Sequence, residues 1–279
     1  MHSVRCDEDK VMEKRNNTRQ TLVRLILLFI AIAALLASAW CVWYLVQYYQ
    51  GARHGQEVQE IGVTEIPIVD PADMPEVVEL PVDFETLQAM NPDVYAWINI
   101  PGTAVNYPIV QRKGDVGFYT NHSSEGAYYT GGSIYSEDYN TTTFRDPVTL
   151  LYGHNLRNGT MFAQLNDFAD AEVFSQRPQI YVYTPDKMRI YQIFFAGVHS
   201  NEHLLLNHDF TDREDFETFF ADLRDTHSLT AQLREEDFPQ YGEDRVLVLS
   251  TCFRGNNRQL FLVQARLLAE IPVQYSADN

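Results

Sequence analysis

The chain is poor in cysteine and in positive charge. Its three cysteines, Cys6, Cys41 and Cys252, are too few and too scattered among 279 residues to staple a fold with disulfides. Lys and Arg together number 21 against 38 Asp and Glu, a net charge of −17. A surface so short of cations cannot displace the counterions of a nucleic acid, which excludes sequence-independent binding to one. Internal repeats and low-complexity tracts are also missing. Aromatic residues are not scarce: 16 Phe, 16 Tyr and 3 Trp supply far more buriable area than a disordered chain carries.

One long hydrophobic run is present. Leu25 to Val46 reads LILLFIAIAALLASAWCVWYLV, without a charge. As a helix it would span about 33 Å, enough for a bilayer core of ~30 Å. Trp40, Trp43, Tyr44, Tyr48 and Tyr49 gather at its far end, as an interfacial aromatic belt does. Six of the 21 cations and four of the 38 acids precede the run, leaving 15 cations and 34 acids beyond it. The positive-inside rule then puts the N-terminus in the cytoplasm and everything after residue 50 outside. A cleaved leader would have an apolar stretch of ~7–15 residues ending in a small-residue cleavage site. Here Ala37-Ser38-Ala39 is followed by more apolar residues, so an uncleaved anchor is expected.

The expected organisation is a cytoplasmic tail (1–24), a transmembrane anchor (25–46), an extracytoplasmic stalk (47–82) and a globular domain (83–279). Pro67, Pro71, Pro75 and Pro81, interspersed with acids, keep the stalk extended. In the globular part, Asp83 is a candidate cap for a short helix, FETLQAMN. Short β-type runs follow at 95–100, 105–111, 132–136, 149–152, 179–184, 189–199, 245–251 and 260–267. A helix over 211–226, with Thr211 as its cap, carries Phe216, Phe219, Phe220 and Leu223 on one face. The pattern predicts a mainly β fold with helices: a closed barrel of about eight strands, with a long helix before the last two.

The chemistry centres on Cys252. In this topology it is the single extracytoplasmic cysteine, a free thiol in an oxidising place, which secreted chains usually avoid unless the thiol is used. It ends the apolar run VLVLST and precedes the polar turn FRGNNR, at the lip of a strand. Arg258, across that hairpin, can lower a thiol pKa or stabilise an oxyanion. A buried, inert cysteine beside a solvated arginine fits the same residues. A nucleophilic thiol needs a proton acceptor. His2 and His54 lie outside the domain, and His203, His208 and His227 lie in or beside the polar helical insertion. Of the remaining three, His154 follows an apolar strand and a glycine in TLLY-GHN, while His122 and His199 suit structural roles equally well.

The run TLLYGHNLRNGTMFAQL with VLVLSTCFRGNNRQLFLVQARL resembles the sortases, membrane-anchored cysteine transpeptidases of Gram-positive bacteria. NPDVYAWINIPGTAVNYPIVQ, the GHN-x3-G-x-MF pattern and the long helix before the final strands are similar to class B members, over roughly residues 83–270. The resemblance implies that Cys252, His154 and Arg258 are catalytic, and Ser250, Thr251 and Asn155 beside them are expected to contact substrate. It also implies an acyl-enzyme made from a C-terminal sorting signal and resolved by an amine of peptidoglycan precursor or cross-bridge, with no cofactor or metal. In class B members the arginine lies somewhat further beyond the cysteine. Counting back from Ala265 reaches Leu260, and Arg258, two residues earlier, would face the same way across a shortened loop. Arg254, in the turn itself, is the alternative. A pilin-polymerising sortase, a cysteine hydrolase and a silent tethered binding domain are the competing functions.

Overall fold

The computed structural model describes residues 19–46, 49, 74–226, 228, 230–254 and 256–275. Tyr48, His227, most of the stalk and the tail up to residue 18 lie outside these. The chain divides into two units, Met1–Gln50 and Gly51–Asn279. The first contains α1, Arg19–Val46, a 28-residue helix of mean hydropathy 2.7, long and apolar enough to cross a membrane. Its large apolar side chains, Leu25 to Val46 among them, are exposed rather than packed into a core. Trp40 and Tyr44, one turn apart, stack at 5.9 Å.

The second unit contains, in chain order, β1 (Val78–Glu79), α2 (Phe84–Met90), β2 (Val94–Asn99), β3 (Asn106–Val110), β4 (Ile134–Tyr135) and β5 (Val148–Tyr152). Then come α3 (Ala171–Gln176), β6 (Gln179–Tyr183), β7 (Lys187–His199), α4 (Leu204–Asn207), α5 (Arg213–Arg224), β8 (Gln232–Leu233), β9 (Val246–Phe253) and β10 (Asn256–Gln274). The sheet order is β1-β10-β9-β5-β4-β3-β2-β6-β7-β8, and a further pairing of β10 with β7 closes it. Eight strands therefore form a closed mixed barrel, with β1 and β8 added at its margins. Strand alternation sorts the core. Ala96, Ile98, Leu151, Ile180, Val182, Leu247 and Leu249 meet inside the barrel. Their neighbours Val148, Leu150, Val246 and Val248 face outward, beneath Phe216, Phe219, Phe220 and Leu223 of α5. Those α5 residues are spaced i, i+3, i+4, i+7, a single apolar stripe.

Three sequence expectations shift. Asp212, not Thr211, caps α5: its carboxylate accepts from the Glu214 and Asp215 amides, while the Thr211 hydroxyl donates to Asp209 Oδ1 at 2.6 Å. The last stalk residues join the sheet at the margin of the barrel, because Val78 and Glu79 pair with Val273 and Gln274, and Leu80 and Val82 are buried. Alternating Val78, Leu80 and Val82 form an edge segment, where the neighbouring Pro81 costs no central ladder bond. Finally, β10 runs 19 residues, far beyond the apolar stretch at 260–267. It pairs with β7 as far as Pro272.

Candidate active site

Parallel pairing of β5 with β9 builds the site. Thr149 to Tyr152 match Leu247 to Ser250 in register, and the Gly153 amide donates to the Ser250 carbonyl at 3.1 Å. The last pair, Tyr152 with Ser250, lies two residues before His154 on one strand and two before Cys252 on the other. No side chain fits at Gly153: a Cβ there would lie 2.5 Å from Ile134 Cδ1 and 2.7 Å from the Phe162 ring. The segment after His154 folds back on itself. Phe162 N donates to the His154 carbonyl at 3.0 Å, Asn155 bridges to Met161, and Met161 N donates to the Tyr107 hydroxyl at 3.0 Å. Met161 has φ 56°, a left-handed conformation unusual for a non-glycine residue. The GHN-x3-G-x-MF spacing is thus the length of a closed lobe.

Cys252 is half-buried and is not in a disulfide among the described residues. Two carboxamides grip its carbonyl: Asn155 Nδ2 donates at 2.9 Å and Asn166 Nδ2 at 3.3 Å. Asn166 Oδ1 also accepts from Arg254 N at 2.8 Å, so this buried side chain spans the strand end on both sides of Phe253. Beside the thiol lies a cavity of about 810 Å³, lined in part by Asn155, Arg157, Cys252, Phe253 and Arg254. Arg254 donates to the Ala163 carbonyl at 3.0 Å and pairs with Asp167 at 3.0 Å.

The other expected site residues are placed as follows. Ser250 and Thr251 are buried, their hydroxyls without partners, and neither lines the cavity. Arg258 is exposed. Leu260 pairs with Cys252 and Asn256 with Phe253, with a shift of register between the two pairs. Simple alternation back from Leu260 therefore does not fix the direction of Arg258. The ring of His154 bonds the Thr120 carbonyl through Nε2 at 2.7 Å. Among the described residues no hydrogen bond joins it to the thiol. His122 bonds the Phe118 carbonyl and His199 bonds its neighbour Ser200. His203, beside the helical insertion, is partnered: Nε2 meets Glu137 Oε2 at 2.6 Å and lies 3.5 Å from the Tyr152 hydroxyl. Burial, and then the Glu137 charge, push the Tyr152 phenol well above its usual pKa, so it keeps its proton. Among the described residues no group of three or more His, Cys, Asp and Glu could hold a metal.

Sequence reasoning missed Asn166 and Thr120. Asn166 left a faint trace as a polar residue among Phe162, Leu165 and Phe168, but Thr120 meets His154 through its backbone, which no side-chain pattern reports.

Comparison with known proteins places this geometry. A family model for the sortase domain matches residues 98–268. Sortase B of Listeria monocytogenes is 28% identical over 170 residues, which is 61% of this chain and 67% of that protein. The crystal structure of sortase B from B. anthracis shares the fold at a TM-score of 0.63 and 24% identity, covering 80% of this chain and 98% of that one. A Streptococcus pyogenes class B sortase involved in pilus biogenesis gives 0.57 at 28% identity, covering 67% and 98%. Barrel, cysteine strand and family match agree: the chain belongs to the sortase family of cysteine transpeptidases, and it is similar to class B members of that family.

Proposed function

We propose that Cys252 is the nucleophile that cuts a C-terminal sorting signal and His154 the group that moves the proton. The observation that carries this reading is the β5–β9 register, whose last pair, Tyr152 with Ser250, stands two residues before His154 and two before Cys252, with Cys252 lining a cavity. The thiolate attacks the carbonyl carbon of the sorting signal's threonine. As the C–N bond breaks, the leaving amine takes a proton from His154, and a thioester remains on Cys252. An incoming amine then attacks the thioester, gives its proton to His154 and releases the thiolate. Arg258, on the hairpin beside Cys252, steadies the oxyanion. Arg254 is a second reading, favoured by its place in the cavity wall. Asn155 fixes the Cys252 main chain and touches the bound peptide, while the buried Ser250 and Thr251 hold the end of β9.

The chain lies in the cell membrane through α1, with its N-terminus in the cytoplasm and residues 83–279 outside. Support comes from six cations before the apolar run and from the excess of acids beyond it. This arrangement holds the enzyme where a tethered substrate and a lipid-linked, cell-wall acceptor meet. The acceptor is an amine of peptidoglycan precursor or cross-bridge, and the product a singly anchored surface protein. The test is product analysis of the full-length protein with a library of threonine-containing peptides, with and without added triglycine. Transfer to triglycine in place of free acid is expected. Free acid alone would mark a hydrolase, and transfer only to a protein lysine would mark pilin polymerisation.

A further inference from the structure

We propose that the backbone carbonyl of Thr120 is the orienting third group of this active site. It holds His154 in the tautomer protonated on Nε2 and leaves Nδ1 to exchange the proton with substrate; the idea rests on the reading of His154 as proton carrier. A carbonyl oxygen can only accept, so the 2.7 Å contact with Nε2 requires a proton on that nitrogen. In the neutral ring the lone pair then sits on Nδ1. Nucleophile–base pairs commonly depend on a third group that fixes the base. Among the described residues no carboxylate pairs with His154, so the carbonyl fills that place.

Thr120 is firmly braced. It ends a 3-10 turn, Phe118–Thr120, tied across to the next segment by Ser133 N donating to the Tyr119 carbonyl at 3.0 Å. His122 bonds the Phe118 carbonyl at 2.7 Å and stacks on the Phe118 ring at 3.8 Å and 14°. The Arg112 guanidinium lies 3.5 Å from the centre of that ring and is itself held by Asp93 at 2.8 Å. Beneath the carbonyl lies Gly132, with φ +60°, where a Cβ would come 2.6 Å from Thr120 O and 2.7 Å from Tyr119 O. The backbone there admits no side chain without moving the acceptor of His154. His122 thereby acts on the site through this turn, away from the thiol.

The test uses full-length protein in detergent micelles, labelled with ¹⁵N at histidine, with His154→Gln identifying the His154 signals. The neutral ring should show a protonated, pyrrole-type Nε2 and a pyridine-type Nδ1; a pyridine-type Nε2 would overturn the proposal outright, with no substitution in the turn needed. A second arm compares Gly132→Ala with Gly126→Ala. Gly126 has φ +84° but nothing within 4 Å of its Cβ, so it reproduces the backbone strain without touching the carbonyl. Gly132→Ala should lower kcat for acyl-enzyme formation roughly 10- to 100-fold, as a misplaced catalytic group does, with KM for the peptide little changed. Equal behaviour of the two alanine variants would show that the carbonyl does not orient the ring. A fully active His154→Gln would instead remove His154 from the chemistry, whatever its tautomer.

Discussion

Arg254 and Arg258 differ in what holds them. Arg254 is tied to Asp167 and the Ala163 carbonyl, whereas among the described residues the one contact of Arg258 is through its backbone, its amide donating to Asn256 Oδ1 at 3.1 Å. A guanidinium already engaged with a carboxylate is less able to meet a developing oxyanion; an unengaged one on the nucleophile's hairpin is available. Arg258→Ala should therefore lose ~10²–10³ in turnover, and Arg258→Lys should recover little, because an ammonium does not reproduce a planar fork of donors. Arg254→Ala removes an exposed ion pair worth about 0.2–1 kcal/mol and should leave turnover within about threefold. Turnover of a threonine-containing peptide decides it: a dead Arg254→Ala beside an active Arg258→Ala would move the role to Arg254. Cys252 and His154 stand out in the sequence because each closes an apolar strand within a distinctive motif. The arginine stands out less, since the register shift between Asn256 and Leu260 breaks the alternation that a simple hairpin count assumes.

At the scale of elements, most of the barrel could be read from alternating runs, and α5 from its four-residue apolar stripe. The second half of β10 could not, because Glu270 and Pro272 interrupt its hydrophobic pattern. The structure shows what Glu270 does there. It accepts from Lys187 at 3.1 Å and from Arg189 at 2.9 Å, and Arg245 lies 3.8 Å away. Partial burial works to raise its pKa, but the bond to Lys187 and the three positive charges prevail and hold the carboxyl below its usual value. A carboxyl lowered in the folded state stabilises the fold above its unfolded pKa of about 4.3. That stabilisation fades as pH falls through the folded value. Glu270→Gln should lower the thermal midpoint at pH 7, and the deficit should shrink towards pH 3. A deficit of equal size at both pH values would show that the ion cluster at the β7–β10 crossing is not what Glu270 contributes.

The molecule as a whole carries an apolar helix and a barrel with a thiol at the end of one strand. The 28-residue α1 exposes its apolar surface throughout, which water would not tolerate and a bilayer would. The full-length protein should stay with membranes through a high-salt wash and keep its first residues. Recovery of a soluble form beginning near residue 40 would show that the helix is a leader. The central claim, covalent catalysis by Cys252, is tested most directly by intact mass. Full-length protein in detergent, mixed with the threonine-containing peptide library without an amine, should gain the mass of the acyl fragment. Hydroxylamine should remove that mass, and Cys252→Ala, folded as judged by its thermal melt, should not acquire it. An adduct of the same mass on Cys252→Ala would contradict the account.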